Sequence, residues 1–133
     1  MKQHLELGQW AESQAKQIVL AAGYLWIRSN YHSRYGEIDL IVEKDNFLVF
    51  IEVRARGKTH IAHAVDTVSR HKQKKIMLTA MQFLQEYPQY ESYFCRFDVI
   101  CFDFRQRIAK TIQQDFSQFA YDQEWIENAF TFD

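Results

Sequence analysis

Residues 36–54 read GEIDLIVEKDNFLVFIEVR, which is two apolar runs separated by the polar break EKDN. Both runs are rich in β-branched and aromatic residues and the break contains turn formers, so the pattern predicts a β-hairpin. The second run is apolar on both faces in its first half, which is typical of a central strand covered on both sides. Acidic residues lie within both strands, where a charge is costly unless it is paired or bound to a metal.

The register of this hairpin depends on its turn. With Asp45 and Asn46 as a two-residue loop, Lys44 pairs with Phe47. A three-residue loop shifts the pairing by one residue, which places the acids of the two strands on opposite faces of the sheet. The sequence leaves the choice between these loops open.

The two-residue loop would bring two acids together, because it places Asp39 opposite Glu52. Opposed side chains have Cβ atoms about 4.5–5.5 Å apart, and like charges at that distance are destabilising unless something offsets them. A divalent cation would offset them. The same register places Glu37 opposite Arg54, so a ladder of cross-strand salt bridges is the alternative explanation of the acids.

The whole chain has 133 residues and is 47% hydrophobic, which predicts one domain spanning residues 1–133. It has no apolar run of about 18 residues, and its first six residues are polar where a secretory signal becomes apolar. We therefore expect a cytoplasmic protein with no membrane segment. Cys95 and Cys101 show no spacing typical of a metal site and are expected to be buried free thiols.

Charge is unevenly distributed although the net charge is only −1. Residues 54–75 contain seven Lys or Arg against one acid, whereas residues 103–133 contain six acids against three Lys or Arg. A basic segment beside clustered acids suits a protein that steers a phosphate backbone toward a metal site. A solvated helix face is the alternative.

Periodicity and turn signals predict the other elements. They are a first helix at 5–22 ended by Gly23, a strand at 24–28, a polar connection at 29–36, a loop at 57–63, a second helix from about Asp66 to Tyr87 ended by Pro88, a strand at 94–102, an edge strand at 108–116, and a short helix at 122–130 capped by Asp122.

Several polar residues fall at informative positions on these elements. Glu12 lies at the edge of the buried face of the first helix, where it is either a solvated boundary residue or a group that leans into a site. Lys72 and Gln73 fall within the apolar stripe near the start of the second helix, from which Lys72 could reach a bound phosphate. Asp98 shares a strand face with Arg96, and a local partnership with Arg96 explains it.

Asp39 and the Glu52-Val53-Arg54 tripeptide, with Glu12 near, form an oxygen-rich ligand set suited to Mg²⁺ or Mn²⁺. Such a cation polarises a phosphoryl oxygen and lowers the pKa of a bound water. Phosphodiester hydrolysis is the natural reaction for this set.

Several blocks, in this order, resemble the YraN-like family of small bacterial proteins: GEIDLI at 36–41, FIEVRAR at 50–56, Lys72, RFDVI at 96–100 and WIENAF at 125–130. That family resembles the PD-(D/E)XK, or restriction-endonuclease-like, nucleases, and among them the archaeal Holliday-junction resolvases. The resemblance implies an α/β fold with a restriction-endonuclease-like αβββαβ core, in which helices flank a central mixed sheet. It also implies a nucleic acid partner, expected to be DNA, and a homodimer by analogy.

Site residues follow from the resemblance position by position. It implies that Asp39 and Glu52 bind the metal, that the carbonyl of Val53 is a further ligand, and that Glu12 is an auxiliary ligand. The catalytic residues expected on this basis are Asp39, Glu52, Arg54 and Glu12. The substrate-binding residues expected beside them are Lys72, Gln73 and Arg56.

Two positions depart from the family pattern. Ala11 replaces a glycine, and alanine has the higher helix propensity of the two. Arg54 replaces the nuclease lysine, and Arg cannot accept a proton because its pKa is above about 12, although it can stabilise a phosphorane-like charge by bidentate hydrogen bonds. The sequence therefore supports a metal-dependent endonuclease-like hydrolase acting on structured DNA and, as the alternative, a non-catalytic nucleic-acid-binding or DNA-processing accessory module. A protein–protein adaptor is a third class.

Overall fold

A computed structural model describes residues 5–58 and 63–132. Its elements run in the order α1, β1, β2, β3, α2, β4 and β5. Their bounds are α1 Leu7–Ala21, β1 Leu25–His32, β2 Glu37–Lys44, β3 Phe47–Arg56, α2 Arg70–Glu86, β4 Phe94–Phe104 and β5 Tyr121–Phe130, with short 3₁₀ turns at Ala64–Thr67, Pro88–Tyr90 and Phe116–Gln118. This order contains the predicted αβββαβ core and adds a fifth strand.

The five strands form one mixed sheet in the order β1-β2-β3-β4-β5, in which only the β3–β4 pair is parallel. Side chains of β3 alternate between two apolar layers. Val49 and Ile51 pack with α1, whereas Leu48 and Phe50 pack with α2. Each such side chain contributes roughly 1.5–3 kcal/mol when fully buried. The predicted central strand and the helices flanking the sheet are thus confirmed.

The hairpin turn is the two-residue loop. Lys44 pairs with Phe47, and the two loop residues Asp45 and Asn46 have φ values of +52° and +67°. A tight turn that needs positive φ at both central positions favours Asp and Asn, which tolerate the left-handed region better than other residues with a side chain. The turn chemistry therefore selects the register that brings the acids together.

The regular pairing of β2 with β3 ends at Leu40 and Ile51. Ile38 packs in the α2 layer and Leu40 in the α1 layer, although residues two apart in a regular strand share a face. β2 therefore switches faces at Asp39. The expected opposition of Glu37 and Arg54 is wrong, because the pairing of β2 with β3 ends before it reaches these residues. Glu37 pairs with His32 of β1, and Asp39 and Glu52 come directly after the last regular pair.

Helix boundaries follow the predictions with one correction. Gly23, at φ +92°, ends α1 because it adopts a left-handed conformation without a Cβ penalty. α2 begins at Arg70 rather than near Asp66, since the Ser69 side chain accepts a hydrogen bond from the Lys72 N–H and caps the helix there. Residues 59–62 of the predicted 57–63 loop lie outside the described residues.

Two polar connections differ from prediction. β1 continues through residues 29–32, which were expected to be part of a connection, because they pair with the start of β2. Residues 108–116 do not form an edge strand, and their backbone joins the rest of the structure through an isolated bridge between Leu5 and Gln114. The edge of the sheet is instead occupied by β5.

The predicted helix at 122–130 is wrong, because these residues belong to β5, which pairs antiparallel with β4. Trp125 and Ile126 contact opposite apolar layers, as neighbours in a strand do, but Ala129 and Phe130 both contact the α2 layer. A bulge with Asn128 at φ +52° interrupts the alternation between these pairs. The resulting apolar spacing imitates that of a helix.

Asp98 holds this bulge in place. Its side chain is fully buried and accepts hydrogen bonds from Arg96 Nε and Nη2, from Trp125 Nε1 and from the Asn128 N–H, all at 2.9 Å. The predicted partnership of Asp98 with Arg96 is confirmed.

Cys95 and Cys101 are free thiols, as expected, but only Cys101 is buried, whereas Cys95 is half-buried. None of the helices in the described ranges is long and apolar enough to cross a membrane.

Candidate metal centre

An open cavity of about 720 Å³ lies between the first half of α1, the start of β2, the end of β3 and the first turn of α2. Acidic and basic side chains face each other across it. The acids are Glu12, Glu37, Asp39 and Glu52, and the bases are Arg54, Arg56, Lys72 and Lys110. The fold therefore gathers side chains that are far apart in sequence into one charged site.

Three of these acids form a compact group, which we call the acid triplet: Glu12, Glu37 and Asp39. One carboxylate oxygen from each residue lies within 4.8 Å of the other two. α1 contributes Glu12, and β2 contributes the other two acids from positions two residues apart. An oxygen-only donor set of this size suits a hard divalent cation such as Mg²⁺ or Mn²⁺.

Asp39 joins the acid triplet to β3. Its Oδ2 accepts a hydrogen bond of 2.8 Å from the N–H of Val53, at the point where regular pairing between the two strands has ended. The carboxylate also interacts with Glu52, the acid that the hairpin register was expected to bring to it. Asp39 is thus the acid that contacts both halves of the site.

Glu52 and Arg54 form an ion pair beside the acid triplet. Glu52 is only 9% exposed, and its Oε2 lies 3.0 Å from Arg54 Nη2. The Nε of Arg54 is buried and has no hydrogen-bond partner among the described residues. A buried donor of this kind costs free energy unless a ligand satisfies it.

The crowding of acids raises carboxyl pKa values. Partial burial, followed by the charge of Asp39 and that of Glu37, raises the pKa of Glu12 from 4.5 to about 7. Burial raises the pKa of Glu52 well above its usual range, and Asp39 adds to this, whereas the charges of Arg54 and Lys72 oppose it. The site therefore holds less negative charge near neutral pH than its four acids would suggest.

Metal-free protein should lose stability as the pH rises. A carboxyl group with a higher pKa in the folded state stabilises folding most below its unfolded pKa, here 4.5, and this contribution disappears as the pH passes the folded value of about 7. Glu12 should account for a loss on the order of 1 kcal/mol between pH 5 and pH 8, after allowing for solvent screening. Glu52, whose pKa is also raised, adds a loss of the same sign. Thermal unfolding in a chelator measures it.

The Glu12→Gln variant is the control for this pH dependence. Because glutamine does not titrate, its unfolding temperature should change less between pH 5 and pH 8 than that of the wild type. The same pH dependence in both proteins would contradict the assignment to Glu12.

Asn30 is a contributor to the site that the sequence did not reveal. It lies in β1, between the pairs Ser29–Leu40 and Tyr31–Ile38, with φ +51°. The orientation that turns Nδ2 toward the acids satisfies its amide, which then donates to Glu12 Oε1 at 3.2 Å and to Glu37 Oε1 at 2.6 Å. The one sequence signal for this role was that asparagine tolerates positive φ. No local sequence pattern predicted that β1 would extend through residue 30.

Comparison with known proteins identifies the family. The model for the family described as "Uncharacterised protein family UPF0102" matches residues 11–102, more than half of the chain. The chain belongs to the UPF0102 family. The match runs from α1 to β4 and includes every residue of the expected metal and substrate sites. The YraN-like resemblance found in the sequence is thereby confirmed.

Several bacterial UPF0102 proteins are close in sequence. One from Acinetobacter baumannii (strain AYE) is 59% identical over 128 residues, which cover 96% of each chain. One from Acinetobacter baylyi is 55% identical and aligned over 94% of this chain and 89% of its own, and one from Saccharophagus degradans is 37% identical over 98% of each. The similarity therefore extends over nearly the whole chain.

The structure brings most of the expected substrate-binding residues of this UPF0102 protein to the cavity. Lys72 and Arg56 line it, as does Val53. Gln73 lies elsewhere, because its Nε2 donates to the carbonyl of Val68 at 3.1 Å and the residue borders a second cavity. Lys110 lines the same cavity as the acids although no pattern indicated it, since its segment was expected to be a strand.

Proposed function

We propose that this UPF0102 protein is a divalent-metal-dependent endonuclease that hydrolyses phosphodiester bonds in structured DNA. The observation that carries the proposal is the convergence of four acids and four bases on one open cavity. Acids suit the binding of a cation and bases suit the binding of phosphate, and a nuclease needs both within reach of one bond. The resemblance to the PD-(D/E)XK nucleases supports the same reaction.

The acids fit Mg²⁺ or Mn²⁺ by their chemistry. The acid triplet offers only oxygen donors, and the pKa of Glu12 is raised first by partial burial and then by the neighbouring carboxylates Asp39 and Glu37. Asp39 and Glu12 would hold the cation. Glu37 would take over part of the metal binding that was expected of Glu52 and the Val53 carbonyl. When bound, the cation would polarise a phosphoryl oxygen and lower the pKa of a water.

The role proposed for Arg54 is the binding of substrate phosphate. One of its nitrogens pairs with Glu52, which fixes the guanidinium, while its buried Nε is left as a donor. A guanidinium binds phosphate oxygens through directed N–H bonds and stabilises charge that develops on them. The proposed role of Arg54 is therefore charge stabilisation rather than proton transfer.

The first turns of α2 carry four basic residues, Arg70, Lys72, Lys74 and Lys75. Lys72 and Lys75, three residues apart, form a surface that we call the α2 basic face, and Lys72 lines the acid cavity, whereas Arg70 and Lys74 border the second cavity. All four side chains are exposed, and none forms an ion pair with another residue in the described ranges. Cations near a helix N-terminus oppose the helix dipole, and like charges four residues apart repel. An anionic partner such as a nucleic acid backbone would offset this cost.

Salt dependence of DNA binding tests the α2 basic face. Each phosphate contact changes the slope of log K against log salt by about 0.9 for duplex DNA. The double variant Lys72→Gln/Lys75→Gln should therefore reduce the slope by about 1 to 2. The exposed Arg105, which pairs with Asp122, provides the control Arg105→Gln. An equal loss of slope in the control would show a non-specific charge effect.

Cleavage of defined DNA substrates tests the proposed reaction. With Mn²⁺ or Mg²⁺, the purified protein should nick a four-way junction, and a chelator should stop the reaction. Comparison with a linear duplex of the same sequence tests whether the protein prefers structured DNA. Cleavage that is indifferent to the chelator would contradict a metal-dependent mechanism.

A non-catalytic nucleic-acid-binding module is the second candidate, favoured by the ion pair that occupies Arg54 where the nuclease pattern has lysine. Arg54→Lys separates the two functions. If Arg54 disables cleavage, the lysine variant should gain Mn²⁺-dependent nicking over the wild type in a junction assay. If the wild type cleaves, the variant should change only the rate. Absence of DNA binding at low salt would contradict both candidate functions.

The homodimer expected from the family resemblance stays a prediction.

A further inference from the structure

We infer that Asn30 is a positioning residue that clamps Glu12 and Glu37 through its amide and so presets the acid triplet for a cation. This inference rests on the proposed metal site. Its support is the backbone conformation of Asn30 in β1 and the position of its amide between Glu12 and Glu37.

The backbone of Asn30 is unusual for its location. Asn30 has φ +51° in the interior of β1, although its neighbours Ser29 and Tyr31 are both regularly paired with β2. Positive φ is unfavourable for residues with a Cβ, and Asn is among those that adopt it most readily. Asn30 is also exposed, so packing in the core does not account for this conformation.

The amide joins carboxylates from two different elements. In the amide orientation that satisfies its hydrogen bonds, Nδ2 lies 3.2 Å from Glu12 of α1 and 2.6 Å from Glu37 of β2, and an amide nitrogen has two hydrogens to donate. These bonds fix the separation of two acids whose charges repel. A clamp of this kind sets the spacing of the oxygens before a cation arrives.

A neutral donor is the chemistry that this position requires. A lysine or arginine would place a positive charge among the acids and compete with the cation, whereas an aspartate would add a fourth repelling acid to the triplet. Asparagine donates to both carboxylates without changing the net charge. Asn30 therefore fixes the positions of the two carboxylates and leaves their negative charge available to the cation.

Asn30→Gly removes the amide and retains a residue suited to positive φ. Asn128→Gly is the matched control, because Asn128 has φ +52° in β5 and uses its backbone N–H, which glycine keeps, to bind Asp98. Residues that orient metal ligands typically contribute 10- to 100-fold to metal affinity. For exposed Asn30 we expect about a tenfold weaker Mn²⁺ affinity in Asn30→Gly and no change in Asn128→Gly.

Calorimetric titration of the metal-free proteins with Mn²⁺ and with Ca²⁺ provides the readout. A loosened triplet should also lower the ratio of Mn²⁺ to Ca²⁺ affinity, since Ca²⁺ accepts flexible geometry more readily than smaller cations. Wild-type affinity in Asn30→Gly would overturn the clamp but leave the metal site standing. Equal losses in both glycine variants would also overturn it, and no Mn²⁺ binding by the wild type would overturn both proposals.

Discussion

Asp39→Asn should reduce metal-dependent DNA cleavage by about 10³-fold, which corresponds to roughly 4 kcal/mol of activation free energy. Asp39 belongs to the acid triplet and also contacts Glu52 and the N–H of Val53. Its loss therefore removes charge from both halves of the site at once. Initial rates on a four-way junction in Mn²⁺ measure the effect, and calorimetry should show weaker Mn²⁺ binding by the same variant.

The choice of asparagine keeps this experiment specific. Asparagine retains an oxygen that can accept the Val53 N–H, so the junction of β2 and β3 should survive. Glu43→Gln is the matched control, because Glu43 is an acid of the same strand that does not line the cavity. Cleavage that persists in both Asp39→Asn and Glu52→Gln would show that another site, or another protein, is responsible.

Asp98→Ala should destabilise the fold by about 3–5 kcal/mol, the typical cost of leaving one partner of a buried ion pair alone. Asp98 accepts four hydrogen bonds while fully buried, and Arg96, only 15% exposed, would keep only its longer pair, at 3.6 Å, with the exposed Glu127. The variant would also free the bulge of β5 that contains Asn128. Urea denaturation followed by tryptophan fluorescence should report the loss, since Trp125 donates to Asp98.

Asp122→Ala provides a comparison with the same chemistry in solvent. Asp122 also pairs with an arginine at 2.9 Å, but Arg105 and Asp122 are 67% and 69% exposed. Exposed pairs typically contribute about 0–1 kcal/mol. Similar losses in the two variants would mean that burial does not determine the contribution of Asp98.

Much of the fold was predictable because it depends on local patterns. The loop residues Asp45 and Asn46 adopt positive φ, and this fixes the register of the hairpin. The Ser69 cap and the Pro88 stop are equally local, although no sequence pattern favoured Ser69 over Asp66 as the start of α2. Local signals predict an element well when no distant contact competes with them.

The C-terminal segment was not predictable in this way. The spacing of Trp125, Ile126, Ala129 and Phe130 fits a helix, and it becomes a strand pattern only because a bulge is present. That bulge is held by Asp98, a residue of another strand. Periodicity within one segment cannot reveal a contact of this kind.

The candidate site was predictable in its residue types more than in its geometry. Asp39 was expected beside Glu52, and Glu12 near them, and the structure brings these acids to one cavity. Glu37 was expected to face Arg54, but the change of face at Asp39 turns it toward Glu12 instead. Asn30 and Lys110 depend on neighbours that are distant in sequence, so their positions required the structure.

The parallel pairing of β3 with β4 affects the order in which the protein is expected to fold. β2 and β3 are joined by two residues, whereas residues paired between β3 and β4, such as Phe47 and Phe94, are separated by the whole of α2. Hairpins form in about 1–10 μs, and contacts between distant residues close later. Asp39 and Glu52 should therefore come together early, while they are still hydrated, and lose water only as α1 and α2 dock on the sheet. The unfavourable desolvation of the site should accordingly fall late in folding.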